Sequence, residues 1–354
     1  MGGNRSRRND VGESLGMIRE IPKEIGMFKV MTGMDALRTT PPATEMIIET
    51  ILPKQFNTII AGTTGCKKSY WTMQMAMSIA NNEPCFCGWK IQKKGLSVLY
   101  VDTEVGMDEM HRRVQNIARN MDFDCGNRFN YVSKHGTHAD IWKDTHEAIR
   151  IFNPDMLVID SLYNSSVERE IEKGYKVAKL TDQLTLFKQK YGITLVVVHH
   201  FVKGNHEKGL IIDRMSGANP LQNWVEHQIL MTKTNELNLN LIRIVKSRGI
   251  DYSDQHYGLT WDASMTHFSM SGIIHNWQAF LADEAKKKRW MDALDRLPEE
   301  FDTNRWLNVT VNEKQCCERT AKTWLKELTR TEMIEKISHG NYKKKLKIVD
   351  NEIE

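Results

Sequence analysis

Residues 62–69 read Gly-Thr-Thr-Gly-Cys-Lys-Lys-Ser and lie between a β-rich apolar run, 56–61, and a helix-patterned stretch that starts near Tyr70. A glycine-containing turn from a buried strand into a helix aims backbone N–H groups and the positive end of the helix dipole at a polyphosphate. In such a loop Lys68 reaches the terminal phosphates and the Ser69 hydroxyl ligates Mg²⁺. Gly62, Thr63, Thr64, Gly65, Cys66, Lys67 and Tyr70 complete the cradle, so the expected ligands are ATP and Mg²⁺. One residue departs from the usual pattern. Lys67 stands where Gly ordinarily precedes the lysine, and its side chain must swing away from the phosphates.

Other groups suited to the same chemistry lie at the ends of further apolar runs. The run 97–102 leads into Asp102-Thr103-Glu104, which places the Glu104 carboxylate where it can orient or deprotonate a water. Met156-Leu157-Val158-Ile159-Asp160-Ser161 is an apolar strand capped by an acid, and Asp160 would hold the Mg²⁺ shell through water. The run 194–198 ends in His199-His200, and a histidine there can sense the terminal phosphate and relay its presence to the next loop. Lys246 and Arg248 sit two residues apart at another strand end, where they can stabilise charge on a transferring phosphoryl group in a neighbouring subunit.

The elements that must position these groups are legible in the periodicity. Runs 97–102, 129–132, 156–160 and 194–199 read as buried strands, alternating with helical patterns near 68–81, 108–121, 139–152 and 171–191. This alternation predicts an α/β fold with a mainly parallel sheet, helices on both faces and ligands at the carboxyl ends of the strands. Strands near 225–232, 238–246, 257–261 and 267–270 follow without helical patterns between them and are expected as antiparallel extensions. Residues 1–39 are expected as a flexible arm, 40–274 as the nucleotide-binding domain, and 275–354 as a linker helix with a small second domain.

Within 301–349 basic residues outnumber acidic ones. A helix over 318–328 sets Ala321, Trp324, Leu325 and Leu328 on one face and Arg319, Lys322 and Lys326 on the other. Two strand-like runs flank 338–342. The pattern resembles a winged helix-turn-helix, with a wing tipped by Lys343, Lys344 and Lys345. It suits duplex DNA or a replication protein as partner.

The chain of 354 residues has a formal net charge of +4, too modest to prove nucleic-acid binding, though it excludes a strongly acidic chaperone. The six cysteines, Cys66, Cys85, Cys87, Cys125, Cys316 and Cys317, lack paired metal-ligand spacing and read as reduced thiols of a cytoplasmic protein. No apolar run approaches the roughly 18 residues that span a bilayer.

In order, the motifs GTTGCKKS, VDTE, LVIDS, VVVHH, DRMSGA and KSRG resemble the RecA-like ATPase core of hexameric helicases, the plasmid RepA and DnaB-type replicative helicases, over about residues 40–270. The resemblance implies that Glu104 is the catalytic base and that His199 or His200 senses phosphate. It implies too that Lys246 and Arg248 act across a subunit interface, with Arg214 near it. Loops 164–174 and 203–217 would face a central channel holding single-stranded DNA, contacted by Arg169, Lys173, Lys203, His206 and Lys208. The implied activity is that of an ATP-driven ring helicase or translocase in replication of a plasmid, phage or similar element. A nucleotide-switched DNA-binding initiator or regulator needs the same motifs.

Overall fold

Long apolar runs bounded by polar turns collapse into a sheet only if both faces are covered, and this chain supplies helices for both. The computed structural model describes residues 23–25, 28–134, 141–162, 174–201, 209–211, 219–281, 291–312, 316–330 and 333–345. It divides into two units, Met1–Ala43 and Thr44–Glu354.

In the first unit β1 (Glu24–Ile25) pairs antiparallel with β2 (Phe28–Lys29). The helix α1 (Gly33–Arg38) follows, capped by Thr32, whose hydroxyl accepts from the Asp35 N–H at 3.1 Å. The arm expected over 1–39 therefore carries regular structure at 24–25, 28–29 and 33–38, the last because a Thr with Asp three residues on is a helix start.

The second unit begins with β3 (Met46–Ile48), β4 (Leu52–Pro53), β5 (Asn57–Gly62) and α2 (Lys68–Ala80). A small hairpin of β6 (Cys85–Phe86) and β7 (Trp89–Lys90) leads to β8 (Val98–Asp102), α3 (Met107–Ala118), β9 (Phe129–Ser133) and α4 (Ile141–Phe152). Then come β10 (Met156–Asp160), α5 (Gly174–Tyr191), β11 (Thr194–His200), α6 (Asn219–Trp224) and β12 (His227–Lys233). The sheet closes with β13 (Leu239–Ser247), β14 (His256–Asp262) and β15 (His267–Ile273).

These strands form one nine-stranded sheet in the order β15-β14-β13-β12-β5-β11-β10-β8-β9. From β12 to β9 every neighbouring pair is parallel, and β13, β14 and β15 are added antiparallel. The α/β class and the mainly parallel sheet are as the sequence implies. One strand differs: β12 was expected among the antiparallel extensions, but it pairs parallel with β5. The short helix α6 ahead of it supplies the crossover that the weak helical pattern did not announce.

Alternation along the strands divides the core. Val98, Tyr100, Val158, Val196, Ile229 and Met231 face α2 and α3 with Trp71, Met73 and Met110. Their neighbours Leu99, Val101, Leu157, Leu195, Val197 and Leu230 face α4, α5 and α6 with Ile149, Leu184 and Leu221.

A third core collects Leu294, Leu297, Phe301, Trp306, Trp324, Leu325, Leu328 and Ile334. It lies under β16 (Glu300–Asp302), α7 (Thr303–Leu307), α8 (Glu318–Arg330), β17 (Ile334–Ser338) and β18 (Asn341–Lys344). The strands are ordered β16-β18-β17. The Trp306 indole N–H donates to the Ala321 carbonyl at 2.8 Å, which pins α7 to α8. The hairpin turn falls at 339–340, with Gly340 at φ +79°. Lys343, Lys344 and Lys345 are thus not at its tip, as expected from sequence. Lys343 and Lys344 lie on the central strand, where the Lys343 ammonium faces Glu299 and Glu300 at 3.7 and 3.6 Å and the Lys344 ammonium donates to the Leu297 carbonyl at 2.7 Å. Pairing on both sides of β18 sets the turn earlier than the lysine run suggested.

His227 opens β12 fully buried, with Nδ1 3.0 Å from the Ser247 hydroxyl, and burial pushes its imidazole down to about 4. An unfolded chain protonates this ring near pH 6.5, so between about 6.5 and 4 the unfolded state binds more protons. The stability contribution is complete above that window and is lost as pH falls through it. Denaturant titrations should show an acid limb that flattens in His227→Gln, the two proteins diverging by about 3 kcal/mol by pH 4. Parallel limbs in the two proteins would contradict the assignment.

Candidate functional site

The parallel strands β5, β11, β10 and β8 end side by side, and their carboxyl ends build one cleft. His200 is level with Gly62, and Asp160 with Asp102. At the end of β5 the chain must pass very close to β12. A Cβ placed on Gly62 would meet the Met231 carbonyl oxygen at 2.0 Å, so this position takes only glycine. The Thr63 N–H donates to that same carbonyl at 3.2 Å, and the Thr63 hydroxyl lies 3.3 Å from that of Thr232. Thr64 and Gly65 form the exposed crown of the loop, with Gly65 at φ +79°. Cys66 turns inward toward the Met231 carbonyl at 3.7 Å, and burial pushes its thiol up.

Lys68 and Lys67 point in different directions. The Lys68 ammonium is buried and donates to the carbonyls of Gly62 at 3.1 Å and Thr63 at 2.9 Å, lying inside the loop. Lys67 caps α2 in the left-handed region at φ +60°, which explains why glycine is the ordinary residue there. Its side chain points outward here, as expected, with the ammonium 5.3 Å from the centroid of the Trp261 ring. Tyr70 packs edge-on against Trp261 at 5.2 Å, and the Arg113 guanidinium lies over the Tyr70 ring at 4.9 Å.

Asp160 is buried, and its Oδ2 accepts from the Tyr100 hydroxyl at 2.6 Å. Burial raises its pKa, against the pull of Tyr100 and Ser69, and its Oδ1 has no hydrogen-bond partner. A buried carboxylate with one unsatisfied oxygen beside a serine hydroxyl suits a hard divalent cation, so Ser69 and Asp160 fit the expected Mg²⁺. Among the described residues no group of three or more His, Cys, Asp or Glu forms a separate metal site. Cys87 is buried with its thiol pushed up to about 12, while Cys85 is exposed.

Glu104 is exposed on the loop after β8, with its carboxylate 3.9 Å from His200 Nε2. Burial, then the Lys68 charge, holds the His200 imidazole below its usual range, so the ring is neutral at pH 7. Strand alternation turns His199 to the opposite face, where it is buried. Of the two histidines, only His200 is brought to the cleft. Lys246 and Arg248 are not brought there either. Because β13 runs antiparallel to β12, Ser247 pairs with His227 at the amino end of the parallel strands, about 13 Å of strand away from Met231. There the Lys246 ammonium donates to the Gln222 carbonyl at 2.6 Å and Arg248 to that of Asn223 at 2.5 Å. Arg169, Lys173, Lys203, His206, Lys208 and Arg214 lie outside the described residues. Phe201, which follows His200, is buried in the core.

Sequence reasoning passed over two groups. Tyr100 shares a strand face with Asp102 and reaches across to Asp160. The Asp102 carboxylate accepts from the N–H groups of Glu104, Val105 and Gly106 at 3.0–3.2 Å and from the Ser133 hydroxyl at 2.8 Å. It shapes the loop that presents Glu104. The signal was available: an Asp followed by Thr-Glu-Val-Gly is a side-chain-capped turn.

Residues 23–206 match a family model described as an AAA domain. No curated protein matches the chain. Among solved structures it is similar to a KaiC-like protein of the hyperthermophilic archaeon Pyrococcus horikoshii OT3. The identity is 15%, the match covers 63% of this chain and 93% of that one, and the TM-score is 0.48.

Asp102→Asn keeps the size of the side chain but halves its acceptor capacity toward three N–H groups. Turnover of ATP should fall roughly 10- to 100-fold through misplacement of Glu104, while ATP affinity changes little. Loss of affinity in parallel with turnover would show that Asp102 supports the whole loop instead.

Proposed function

The chain belongs to the AAA-domain family and is a P-loop ATPase, and we propose that it works as a ring, a hexamer, that hydrolyses ATP between subunits to translocate on single-stranded DNA and separate strands. The setting proposed is replication of a plasmid, phage or similar element. The observation that carries this reading is the position of Lys246 and Arg248. They lie at the far end of the sheet from their own phosphate loop, so any contact they make with a phosphoryl group comes from another copy of the chain.

Within one site, Lys68 would leave the loop carbonyls for the terminal phosphates, and Glu104 would accept the proton of the attacking water. The neutral His200 ring, between Glu104 and Lys68, would register whether the terminal phosphate is present. Mg²⁺, held at Ser69 and Asp160, would neutralise charge on the phosphate oxygens. An arginine supplied from a neighbour adds on the order of a thousandfold or more.

The C-terminal part supports a second contact with DNA. Its strand-helix-helix-strand-strand order, with sheet order β16-β18-β17, supports a winged-helix reading, and α8 exposes Arg319, Lys322 and Lys326. The engagement of Lys343 and Lys344 with the sheet moves the weight of this reading from the wing to α8.

Mixing Lys68→Ala with Arg248→Ala protein should restore part of the ATPase that each lacks alone, since some interfaces then contain neither lesion. Glu104→Gln should bind ATP but lose turnover by about 100-fold or more. A strand-displacement assay run beside the ATPase assay decides the function. Hydrolysis and DNA binding without displacement would favour a nucleotide-switched regulator. A particle that stays monomeric with ATP and DNA, at constant activity per subunit, would exclude the ring.

A further inference from the structure

Two adjacent lysines stand at the start of α2, Lys67 as its cap and Lys68 as its first residue, and only Lys68 is accounted for by the phosphate loop. Lys67 occupies a left-handed backbone position that strains any residue with a Cβ. Its backbone is part of the cradle, and its side chain is exposed. The ammonium rests over Trp261, a residue nearly two hundred positions away, on β14. Trp261 is itself buried and fixed by Tyr70 at 5.2 Å and Phe268 at 4.8 Å, so the ring is a rigid platform and the lysine is its movable partner.

The strengths of the two available contacts differ. An exposed ammonium on an indole face is held weakly. The same ammonium a few ångströms from a multiply charged phosphate chain, in a partly desolvated loop, is held much more strongly. Lysine has a flexible four-carbon stem and a compact charge, and it can exchange one partner for the other without moving the backbone. The groups nearby do not bar the exchange. Arg113 is occupied on Tyr70 and paired with Glu109 at 3.0 Å, and Lys68 is directed inward.

We propose that Lys67 is a second polyphosphate-binding lysine, parked on Trp261 and transferred to the phosphate chain when a nucleoside triphosphate enters the loop. It sets discrimination by phosphate number: the extra charge acts on the terminal phosphates and adds nothing for a nucleoside monophosphate. The inference rests on the P-loop ATPase reading and assigns a role to the residue by which this loop departs from the usual pattern.

The test is equilibrium binding of ATP and AMP to the full chain. Lys67→Met keeps the Cβ and the bulk of the side chain without its charge, and should weaken ATP about five- to tenfold while leaving AMP within about twofold. Lys67→Arg should hold ATP affinity near the wild-type value. The ATP-induced change in indole fluorescence attributable to Trp261, obtained by difference against Trp261→Phe, should vanish in Lys67→Met. Lys68→Ala serves as the control that removes ATP binding altogether. ATP affinity unchanged in Lys67→Met, or an equal loss for ATP and AMP, overturns the proposal in favour of a fixed packing role. A wild-type chain that binds no ATP overturns the P-loop reading and this inference with it.

Discussion

The close approach of β5 to β12 at Gly62 is the constraint on which the carboxyl edge of the sheet depends. The Met231 carbonyl occupies the space a side chain would need, and it also receives the Thr63 N–H and faces the Cys66 thiol. One backbone oxygen therefore fixes the first turn of the phosphate loop from outside. With the loop held, its inner carbonyls from Gly62 and Thr63 converge on the Lys68 ammonium, a buried charge that would otherwise be costly. Without the parallel pairing of β12 to β5, neither half of this arrangement exists.

Burial acts on the cleft in a consistent direction. It raises the Asp160 carboxyl and lowers the His200 imidazole, since desolvation penalises whichever form is charged. Asp102 solves the same problem differently, by collecting backbone N–H groups and a serine hydroxyl around its carboxylate. The three strand ends thus carry different devices: a buried acid with one free oxygen, a neutral ring, and a satisfied acid that positions the exposed Glu104. A site that handles polyphosphate and a cation needs such separation, because like charges side by side repel and push one group to its neutral form.

The C-terminal core is built on its own apolar residues, from Leu294 to Ile334, with Trp306 joined to α8 through one buried hydrogen bond. Its central strand uses lysine ammoniums to tie neighbouring segments, leaving the exposed face of α8 as the concentration of unburied cations that the sequence singled out. Charge counts along the chain do not distinguish a lysine that staples a sheet from one that faces solvent.

By itself the sequence determined the repertoire: the loop at 62–69, the acids Glu104 and Asp160, the histidine pair, and the alternation of strands and helices that brings them to one edge. These are local patterns, and period-2 runs ending in polar residues carry them without reference to anything distant. Which histidine enters the cleft followed only from the register of β11, since a one-residue shift exchanges the two faces. The parallel direction of β12 and the placement of Lys246 and Arg248 at the opposite end of the sheet required strand pairing across the fold. The Lys67–Trp261 contact required it too, because no short-range pattern joins residues so far apart in the chain. Local chemistry is written in neighbouring residues, whereas the company each residue keeps depends on backbone hydrogen bonds that close only when the sheet assembles.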